Sequence, residues 1–408
     1  MSTDILRIAI IGGGAAGYFS ALIAAQLDPA AEVIIFEKTR QPLAKVKISG
    51  GGRCNVTHHC FDPKKLSTCY PRGSQPLKQA FYSFQPQDMI DWLQERGVDL
   101  KVEKDGRMFP SSNSSSTIIS CFQNRAKELG VKVVLEKEIL QIQKHQDTFS
   151  LMGKEGLICE ADKVLLATGG HPKSYALALH LGHKIVPPVP SLFTLNCIDE
   201  RLNGLSGVSL PEVRLKLDQS DFQSEGPLLF THWGLSGPAI LRLSAWNARF
   251  LAERNYSAKL IVDLCPGYSY HQVRECFLAN KQTLLSKPIH STPLFLLPKH
   301  VWKKWMDALE ISEHKVWAHF SKSDLHACVE AMKQTELIIE GKSAYKEEFV
   351  TCGGIPWDEI DAKKMESKIC SGLHFAGEVI DTDGITGGFN FQNAWTTGWI
   401  AAHAMTSD

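Results

Sequence analysis

Three glycines near the start of the chain have the spacing of a phosphate-binding turn. They are separated by one and by two residues: Gly12, Gly14 and Gly17. They follow the apolar run 8–11 and precede a helical pattern. Glycine permits a tight turn and lets backbone approach a pyrophosphate, while free N–H groups at the helix start, at Ala15 and Ala16, face the phosphates. The pattern predicts the strand–turn–helix start of a dinucleotide-binding unit.

An acidic residue ends the second apolar run of this unit. Glu37 follows the run 33–36 and stands 20 residues after Gly17. A carboxylate there accepts hydrogen bonds from ribose hydroxyls and repels a 2′-phosphate, so FAD or NAD is favoured over NADP. A secretory signal or membrane span is the alternative, because residues 8–26 carry no charge. The glycine and alanine pairs, the lack of a basic leader and the closing acid argue against it.

Two further glycine-rich segments have the composition of ligand-binding turns. The first contains Ser49, Gly50, Gly51 and Gly52, followed by Arg53, Cys54 and Asn55. The second contains Ala167, Thr168, Gly169 and Gly170, at the end of an apolar run. Glycines let such a loop lie flat against a ligand, with a guanidinium and an amide as polar contacts. The alternatives are a surface linker for the first segment and a structural turn for the second.

The C-terminal part of the chain repeats the order of strand, glycine turn and helix. The residues of interest there are Gly377, Glu378, Asp381, Gly387, Gly388, Phe389 and Asn390. The carboxylate of Asp381 is placed to bind a ribityl hydroxyl. Backbone donors from Gly388 to Asn390 are placed to stabilise negative charge on the pyrimidine side of a reduced flavin. A purely structural turn is the alternative.

Composition limits the class of protein. The chain has 408 residues with 44 basic and 44 acidic side chains, which predicts two or three globular domains without a nucleic-acid or membrane partner. Its 11 cysteines, without a recognisable signal peptide, predict a reducing cytoplasm rather than disulfides. None of them forms a CxxC pair, so no catalytic dithiol is expected. The group Cys54, His58, His59 and Cys60 lacks a second cluster at zinc spacing, so no metal is expected.

Local patterns predict several elements. Residues 76–98 have the apolar spacing of a helix, and Asp105-Gly106 predicts the turn of a hairpin. A serine-rich loop precedes a predicted helix over 117–129, and the prolines at 187–190 mark a domain boundary. Residues 266–334 are predicted to be largely helical, with their tryptophans in the core.

Taken together, these motifs resemble those of a known family. The matching segments are IIGGGAAG, SGGGRCNVT, DGRMFP, ATGG, THWGLSGP, TCGGI, FAGEVID and GITGGFNFQNA. They resemble the bacterial HI0933-like flavoproteins, also called the YhiN or BaiN-like group, which have the glutathione-reductase-type FAD fold. That family usually has Asn where His58 stands and often has an additional Gly near Ala44.

The resemblance implies an α/β fold: a three-layer, Rossmann-like FAD-binding domain with an inserted β-barrel-like subdomain and an inserted helical subdomain. The FAD-binding domain is expected to comprise residues 1–188 and 353–408. The β-rich inserted domain is expected over 189–264 and 335–352, and the helical inserted domain over 265–334. Lys38, Lys45 and Ile139 complete the expected FAD site.

The resemblance and the motifs together predict an FAD-dependent oxidoreductase that transfers a hydride at flavin N5 to or from a small organic substrate, as a monomer or homodimer. The sequence has no second G-x-G-x-x-G, so NAD(P)H is expected only as a transient donor. His232 and Arg53 are the candidate catalytic residues. Family members are described as a bile-acid enone reductase and an aminoacetone oxidase. An amine oxidase using O2 is therefore one alternative, and a non-catalytic or RNA-associated flavoprotein is another.

Overall fold

The computed structural model describes residues 5–342 and 350–407. Their contacts divide the chain into two compact units. The first unit combines the part of the chain up to Val189 with the part from Val350 onward, and the second begins at Pro190. The expected division of the inserted part into a β-rich and a helical domain stays a prediction, although strand Val350–Gly354 belongs to the first unit.

The described residues form helices and strands in the following order. The helices are α1 Ala15–Leu27, α2 Ala44–Gly52, α3 Pro63–Ser67, α4 Ser74–Ala80, α5 Pro86–Gln94, α6 Ser115–Glu128, α7 Tyr175–His180, α8 Pro238–Trp246, α9 Ala248–Glu253, α10 Tyr270–Thr283, α11 Lys299–Ala308, α12 Lys322–Lys333 and α13 Phe389–Thr406. The strands are β1 Arg7–Ile11, β2 Glu32–Phe36, β3 Thr57–His58, β4 Leu100–Val102, β5 Arg107–Pro110, β6 Lys132–Val134, β7 Gln141–His145, β8 Thr148–Gly153, β9 Gly156–Ala161, β10 Lys163–Leu166, β11 Val186–Ser191, β12 Leu195–Cys197, β13 Ser209–Leu217, β14 Gln223–Phe230, β15 Gly234–Ser236, β16 Ser257–Asp263, β17 Thr335–Lys342, β18 Val350–Gly354, β19 Ile360–Asp361, β20 Glu366–Ser367 and β21 Leu373–Phe375.

A seven-stranded sheet forms the centre of the first unit, in the order β19-β20-β21-β10-β1-β2-β6. The five strands from β21 to β6 are parallel. Parallel strands are buried on both faces, which explains the continuous apolar run of β1, whose residues 8–11 are buried. The carboxyl ends of β1, β10 and β21 therefore lie at one edge of the sheet, and each is followed by one of the glycine turns.

Helices α1 and α13 pack closely against each other beside this sheet. A Cβ at Gly398 would lie 2.8 Å from Ser20 Oγ, so a larger residue there would push the helices apart. Almost every residue of α1 is buried, as is expected of a helix rich in alanine and aliphatic side chains. The N-terminal and C-terminal parts of the chain thus share one hydrophobic core.

The structure confirms the predicted hairpin and corrects one predicted helix. Strands β4 and β5 pair antiparallel, with Val102 opposite Met108. The single helix predicted over 76–98 is wrong, because the segment forms α4 and α5 with a break between them. Pro86 begins α5, and the Asp88 carboxylate accepts the Gln85 N–H at 2.7 Å as part of a capping box. Proline and this cap favour a new helix start over a continuous helix.

The second unit contains a closed six-stranded barrel, in the order β12-β15-β14-β13-β16-β17. This confirms the expected β-barrel-like insertion. Helices α8 to α12 accompany it. The predicted core aromatics are buried: Trp302 and Trp305 in α11, and Trp317 and Phe320 between α11 and α12.

Candidate functional site

The turn between β1 and α1 is built from glycine because neighbouring backbone leaves no room for side chains. Gly12 has φ +109°, and a Cβ there would overlap the carbonyl oxygen of Ala167. A Cβ at Gly17 would overlap the Gly12 carbonyl oxygen. Gly14 differs, because a Cβ there would meet nothing within 4 Å. Gly12 and Gly17 thus serve the fold, whereas Gly14 borders open space.

The start of α1 is available to an anion. Gly14 is the N-cap residue, and no side chain caps the helix. No acidic residue occupies the first turn, so the N–H groups there are not neutralised by the protein. Ala15 and Ala16 lie in this first turn, as the sequence predicted. The geometry is that of a phosphate-binding helix start.

Glu37 lies beside this turn at the end of β2. Its Oε2 accepts the Gly13 N–H at 2.8 Å, and its Oε1 accepts the Thr39 N–H at 2.8 Å. The side chain is therefore fixed against the glycine turn. A carboxylate has about four acceptor sites, so further donors such as ribose hydroxyls can still bind. Lys38, the next residue, is exposed.

The second glycine turn follows β10 and contacts the first. The Ala167 N–H donates to Ile11 O at 2.9 Å, which brings the ends of β1 and β10 together. Gly169 is left-handed, with φ +70°. The Thr168 hydroxyl is buried and has no hydrogen-bond partner among the described residues. Ile139 is buried, so it supports the core rather than presenting a polar group.

The loop after β2 and the start of α2 contact both ends of the chain. The Leu43 N–H donates to Gly13 O at 2.8 Å, directly before α2 begins. The Lys45 ammonium lies 2.5 Å from Glu378 Oε2, and this carboxylate raises the pKa of Lys45. Lys45 and Glu378 were predicted independently as cofactor contacts, and the structure brings them together as an ion pair.

The segment 49–52 departs from helical geometry within α2. Ser49 is extended, and Gly50 and Gly51 are left-handed. A Cβ at Gly51 or Gly52 would meet nothing within 4 Å, so these glycines border open space, as Gly14 does. The loop therefore exposes backbone, as its composition predicted.

Arg53 is held by protein contacts. Its Nη1 lies 2.6 Å from Glu103 Oε1, and its guanidinium lies 4.0 Å from the centre of the Phe109 ring. The adjacent Cys54 side chain is fully buried, and burial raises the pKa of this thiol to about 12. Cys54 is thus a neutral core residue that can reach a ligand only through its backbone. Arg53 is oriented by its neighbours before any ligand binds.

The turn before α13 is held by two asparagines. The Gly388 N–H donates to the Asn55 side-chain oxygen at 2.9 Å, with the amide oriented by its hydrogen-bond partners. The Asn390 side chain accepts the Gly384 N–H at 2.8 Å and donates to Gly384 O at 2.9 Å. Asn390 therefore shapes the turn. A Cβ at Gly388 would overlap the Thr57 carbonyl oxygen, so only glycine fits there.

Asp381 and Phe389 also have protein partners. Asp381 Oδ1 accepts the Gly353 N–H at 2.9 Å, which fixes its carboxylate near the end of β18. Phe389 is buried and stacks on His58 at 4.6 Å between ring centres. A Cβ at Gly387 would lie 2.6 Å from the Phe389 ring. Gly377 has φ +75° and sits against Ala16, where α1 and the 377–379 turn meet.

Sequence reasoning missed three supporting residues. The His58 ring packs against Phe389, and its burial lowers the pKa of the imidazole. The Tyr70 hydroxyl donates to Phe389 O at 2.6 Å. Arg72 forms a buried ion pair with Asp383, in the loop that leads to α13. No local motif signals these contacts, since their partners are more than 300 residues away in the sequence.

His232, the other predicted catalytic residue, lies in the second unit. It occupies the connection between β14 and β15 and is exposed, as is Trp233 beside it. Its catalytic role stays a prediction.

Two properties concern the described residues as a whole. They contain no group of three or more His, Cys, Asp or Glu side chains arranged to hold a metal ion. None of the described helices combines the length and apolar character required to cross a lipid bilayer.

The fold and the three glycine turns at one sheet edge define a Rossmann-type, FAD-binding oxidoreductase. A family model described as "HI0933-like protein Rossmann domain" matches residues 6–404. The chain therefore belongs to the HI0933-like family of FAD-dependent oxidoreductases, which confirms the resemblance seen in the motifs.

Named relatives align over nearly the whole chain. A ribosomal RNA dihydrouridine synthase of Haemophilus influenzae is 30% identical over 97% of this chain and 98% of its own. A 3-dehydro-bile acid delta(4,6)-reductase of Clostridium scindens is 29% identical over 98% of both chains. A ribosomal RNA dihydrouridine synthase of Escherichia coli is 29% identical over 97% of both chains.

Solved structures share the fold at low sequence identity. The 3-ketosteroid delta1-dehydrogenase of Sterolibacterium denitrificans has a TM-score of 0.51 and 12% identity, covering 99% of this chain and 100% of that one. An open flavocytochrome c3 fumarate reductase has a TM-score of 0.50 and 16% identity, covering 99% and 78%. At this identity the likeness concerns the fold alone.

The residues present fit FAD. The uncapped start of α1 suits a pyrophosphate, and the open sides of Gly14, Gly51 and Gly52 leave room for a ligand against backbone. Glu37 lies beside the turn, where it suits an unphosphorylated ribose.

Proposed function

We propose that this protein reduces a carbon–carbon double bond conjugated with a carbonyl group, using FAD held by the first unit. The observation that carries the proposal is the shared chemistry of its relatives. One kind is named for making dihydrouridine in ribosomal RNA, the other for reducing a delta(4,6) bile acid with a 3-oxo group. In both substrates the double bond is conjugated with a carbonyl. Both kinds align at similar identity over almost the whole chain, so this common reaction is the best supported.

Such a reduction adds a hydride to the carbon β to the carbonyl and a proton to the carbon α. Reduced FAD, when bound, supplies the hydride from N5. In this proposal the start of α1 holds the pyrophosphate and Glu37 holds the ribose. Asp381 holds the ribityl chain. The Gly388 N–H is taken by Asn55, so the uncapped backbone N–H groups of Phe389 and Asn390, at the start of α13, face the pyrimidine ring. Two electrons must enter from a soluble donor, for which NAD(P)H is the candidate class.

The proton needs a separate source. Arg53 is unsuited, because a guanidinium keeps its proton near neutral pH and this one is paired with Glu103. We therefore assign Arg53 to orienting the ligand rather than to proton transfer. His232 is retained as the candidate acid, because a histidine side chain can donate a proton to a reacting group and this one is exposed.

Of the two kinds of substrate we favour uridine in ribosomal RNA. The expectation of no nucleic-acid partner was based on the neutral net charge of the whole chain. That net charge is not evenly distributed along the sequence. Segment 265–334 carries nine Lys and Arg against six Asp and Glu, and six of the 15 histidines. A local excess of cationic side chains on an inserted segment favours a polyanionic substrate.

Anaerobic reduction followed by oxidation with each substrate tests the proposal. The purified yellow protein is bleached with NADH or NADPH and then mixed with an unmodified ribosomal RNA transcript or with a steroid carrying a conjugated enone. The expected result is recovery of the flavin absorbance, together with a gain of two hydrogen atoms in the substrate. If neither substrate restored the flavin absorbance, the proposal would be refuted. Bleaching by a small amine, with peroxide formed in air, would instead identify an amine oxidase.

A further inference from the structure

We infer that a basic surface on α11 binds the phosphate backbone of the RNA substrate, an inference that rests on the proposed function. This basic surface is formed by Lys299, His300, Lys303 and Lys304. The first three are exposed and Lys304 is partly exposed. In a helix these four positions share one side, within the first two turns.

The opposite side of α11 fixes the orientation of this surface. Its apolar residues are buried: Val301, Trp302, Trp305 and Met306. Trp302 Nε1 donates to Ile289 O at 2.9 Å, and Trp305 Nε1 donates to Thr335 Oγ1 at 2.7 Å. With both indoles anchored, α11 cannot rotate without breaking buried hydrogen bonds. The lysines therefore point away from the core of the second unit.

The positive charge of the surface is only partly compensated. Lys303 Nζ lies 3.2 Å from Glu313 Oε1, and both side chains are largely exposed. Within residues 5–342 and 350–407, neither Lys299 nor Lys304 has a carboxylate partner. Asp307 is the acid nearest along the helix, and its carboxylate lies 3.6 Å from His290 Nδ1.

Helix stability does not explain these residues. Lys299 and His300 stand in the first turn of α11, where cationic side chains oppose the helix dipole, and the helix has no acidic residue in that turn and no side-chain cap. An exposed surface that is unfavourable for its own helix is better explained by a ligand of opposite charge. A phosphate backbone provides that charge at regular spacing.

The loop before α11 adds an apolar contact. Phe295 and Leu296 have φ of +56° and +59°, a conformation that costs energy in residues other than glycine. This backbone presents Leu296 with 92% of its surface exposed, three residues before Lys299. Sequence-specific RNA recognition commonly targets unstacked bases in loops, which offer apolar faces. The loop and the basic surface together suit single-stranded RNA.

Binding of an unmodified ribosomal RNA transcript, measured over a range of salt concentrations, tests the inference. The double variant Lys299→Gln/Lys304→Gln is compared with the control Lys127→Gln/Lys154→Gln, which removes two exposed lysines of the first unit. We expect about tenfold weaker binding for the first variant. The slope of log affinity against log salt should fall in magnitude by about 1.5, since each lost phosphate contact contributes about 0.7–0.9. The control should bind as the native protein does.

The outcomes separate this inference from the proposed function. An equal loss of RNA affinity in both double variants, or no loss in Lys299→Gln/Lys304→Gln, would overturn the inference that this surface binds RNA. The inference would also be overturned if the native protein reduced a small enone but did not bind RNA. Binding that depends on these lysines for anionic phosphatidylglycerol vesicles, but not for RNA, would overturn it too. If RNA binds through the surface but neither substrate is reduced, the proposed reaction fails while the surface stands. Reduction of the small enone should be unchanged in the double variant.

Discussion

Lys45 Nζ and Glu378 Oε2 lie 2.5 Å apart, although the two residues are 333 positions apart in the chain. The ion pair joins the first turn of α2 to the turn after β21. Both residues border the glycine turns that fit FAD. The pair thus links the two ends of the chain at the proposed cofactor site.

Replacing Lys45 with Met should affect cofactor binding more than stability. The Lys45 side chain is 60% exposed, so losing the ion pair should lower the free energy of unfolding by at most about 1 kcal/mol. FAD affinity, measured by fluorescence titration of the apoprotein, should fall at least about tenfold, as expected for one hydrogen bond to a charged group, worth about 1.5–3 kcal/mol. Arg125→Gln, which breaks an exposed pair with Glu128, is the control. Unchanged affinity for FAD would remove Lys45 from the site.

Gly14→Val should give a folded but colourless protein. Gly14 has φ −84°, which any residue adopts, and its Cβ direction is open, so the side chain would occupy the proposed pyrophosphate position. Absorbance at the flavin band and circular dichroism check the two properties. Gly12→Ala is the contrast, because its methyl group would overlap the Ala167 carbonyl oxygen and should destabilise the fold. A Gly14→Val protein with stoichiometric FAD would refute the placement of the cofactor.

Asp383→Asn should destabilise the first unit strongly. The Asp383 side chain is 0% exposed and that of Arg72 is 14% exposed, and the guanidinium Nε donates to Asp383 Oδ1 at 2.5 Å. Removing one charge of a buried ion pair typically costs about 3–5 kcal/mol. Urea unfolding measures the loss, and Glu128→Gln at the exposed Arg125 pair should change stability by less than about 1 kcal/mol. Similar small changes in both variants would contradict the prediction.

Acid should destabilise the protein partly through His374. This residue is buried in β21, and burial lowers the pKa of its imidazole to about 4. The pKa in the unfolded chain is about 6.5, so the folded state binds fewer protons between these values. The stability from neutral His374 is therefore complete above about pH 6.5 and is lost as the pH falls towards 4, by up to about 1.4 kcal/mol per pH unit.

Comparison with His374→Leu isolates this contribution. The native protein should lose more free energy of unfolding between pH 7 and 5 than the variant does. Burial also lowers the pKa of His183, so only the difference between the two proteins is informative. Parallel pH profiles would show that His374 does not titrate as expected.

The sequence alone determined the cofactor class and the general architecture. The G-x-G-x-x-G turn, the acid at Glu37 and the later glycine segments are local patterns, because a turn that approaches a phosphate needs glycine at fixed positions. The buried parallel strands were visible as apolar runs for the same reason. The break between α4 and α5 also has a local signal, Pro86. The helical spacing of the apolar residues on either side nevertheless predicted one continuous helix.

Only the tertiary structure decided what the individual site residues contact. Lys45 with Glu378, Asn55 with Gly388, and Arg72 with Asp383 join segments that are more than 300 residues apart. Such pairs depend on how the two ends of the chain fold into one sheet, and no local spacing encodes them. The structure also distinguishes the three glycines of the motif. Neighbouring backbone leaves no room for a side chain at Gly12 or Gly17, whereas Gly14 borders open space. That difference depends on distances between strands, and the sequence motif lists all three glycines alike.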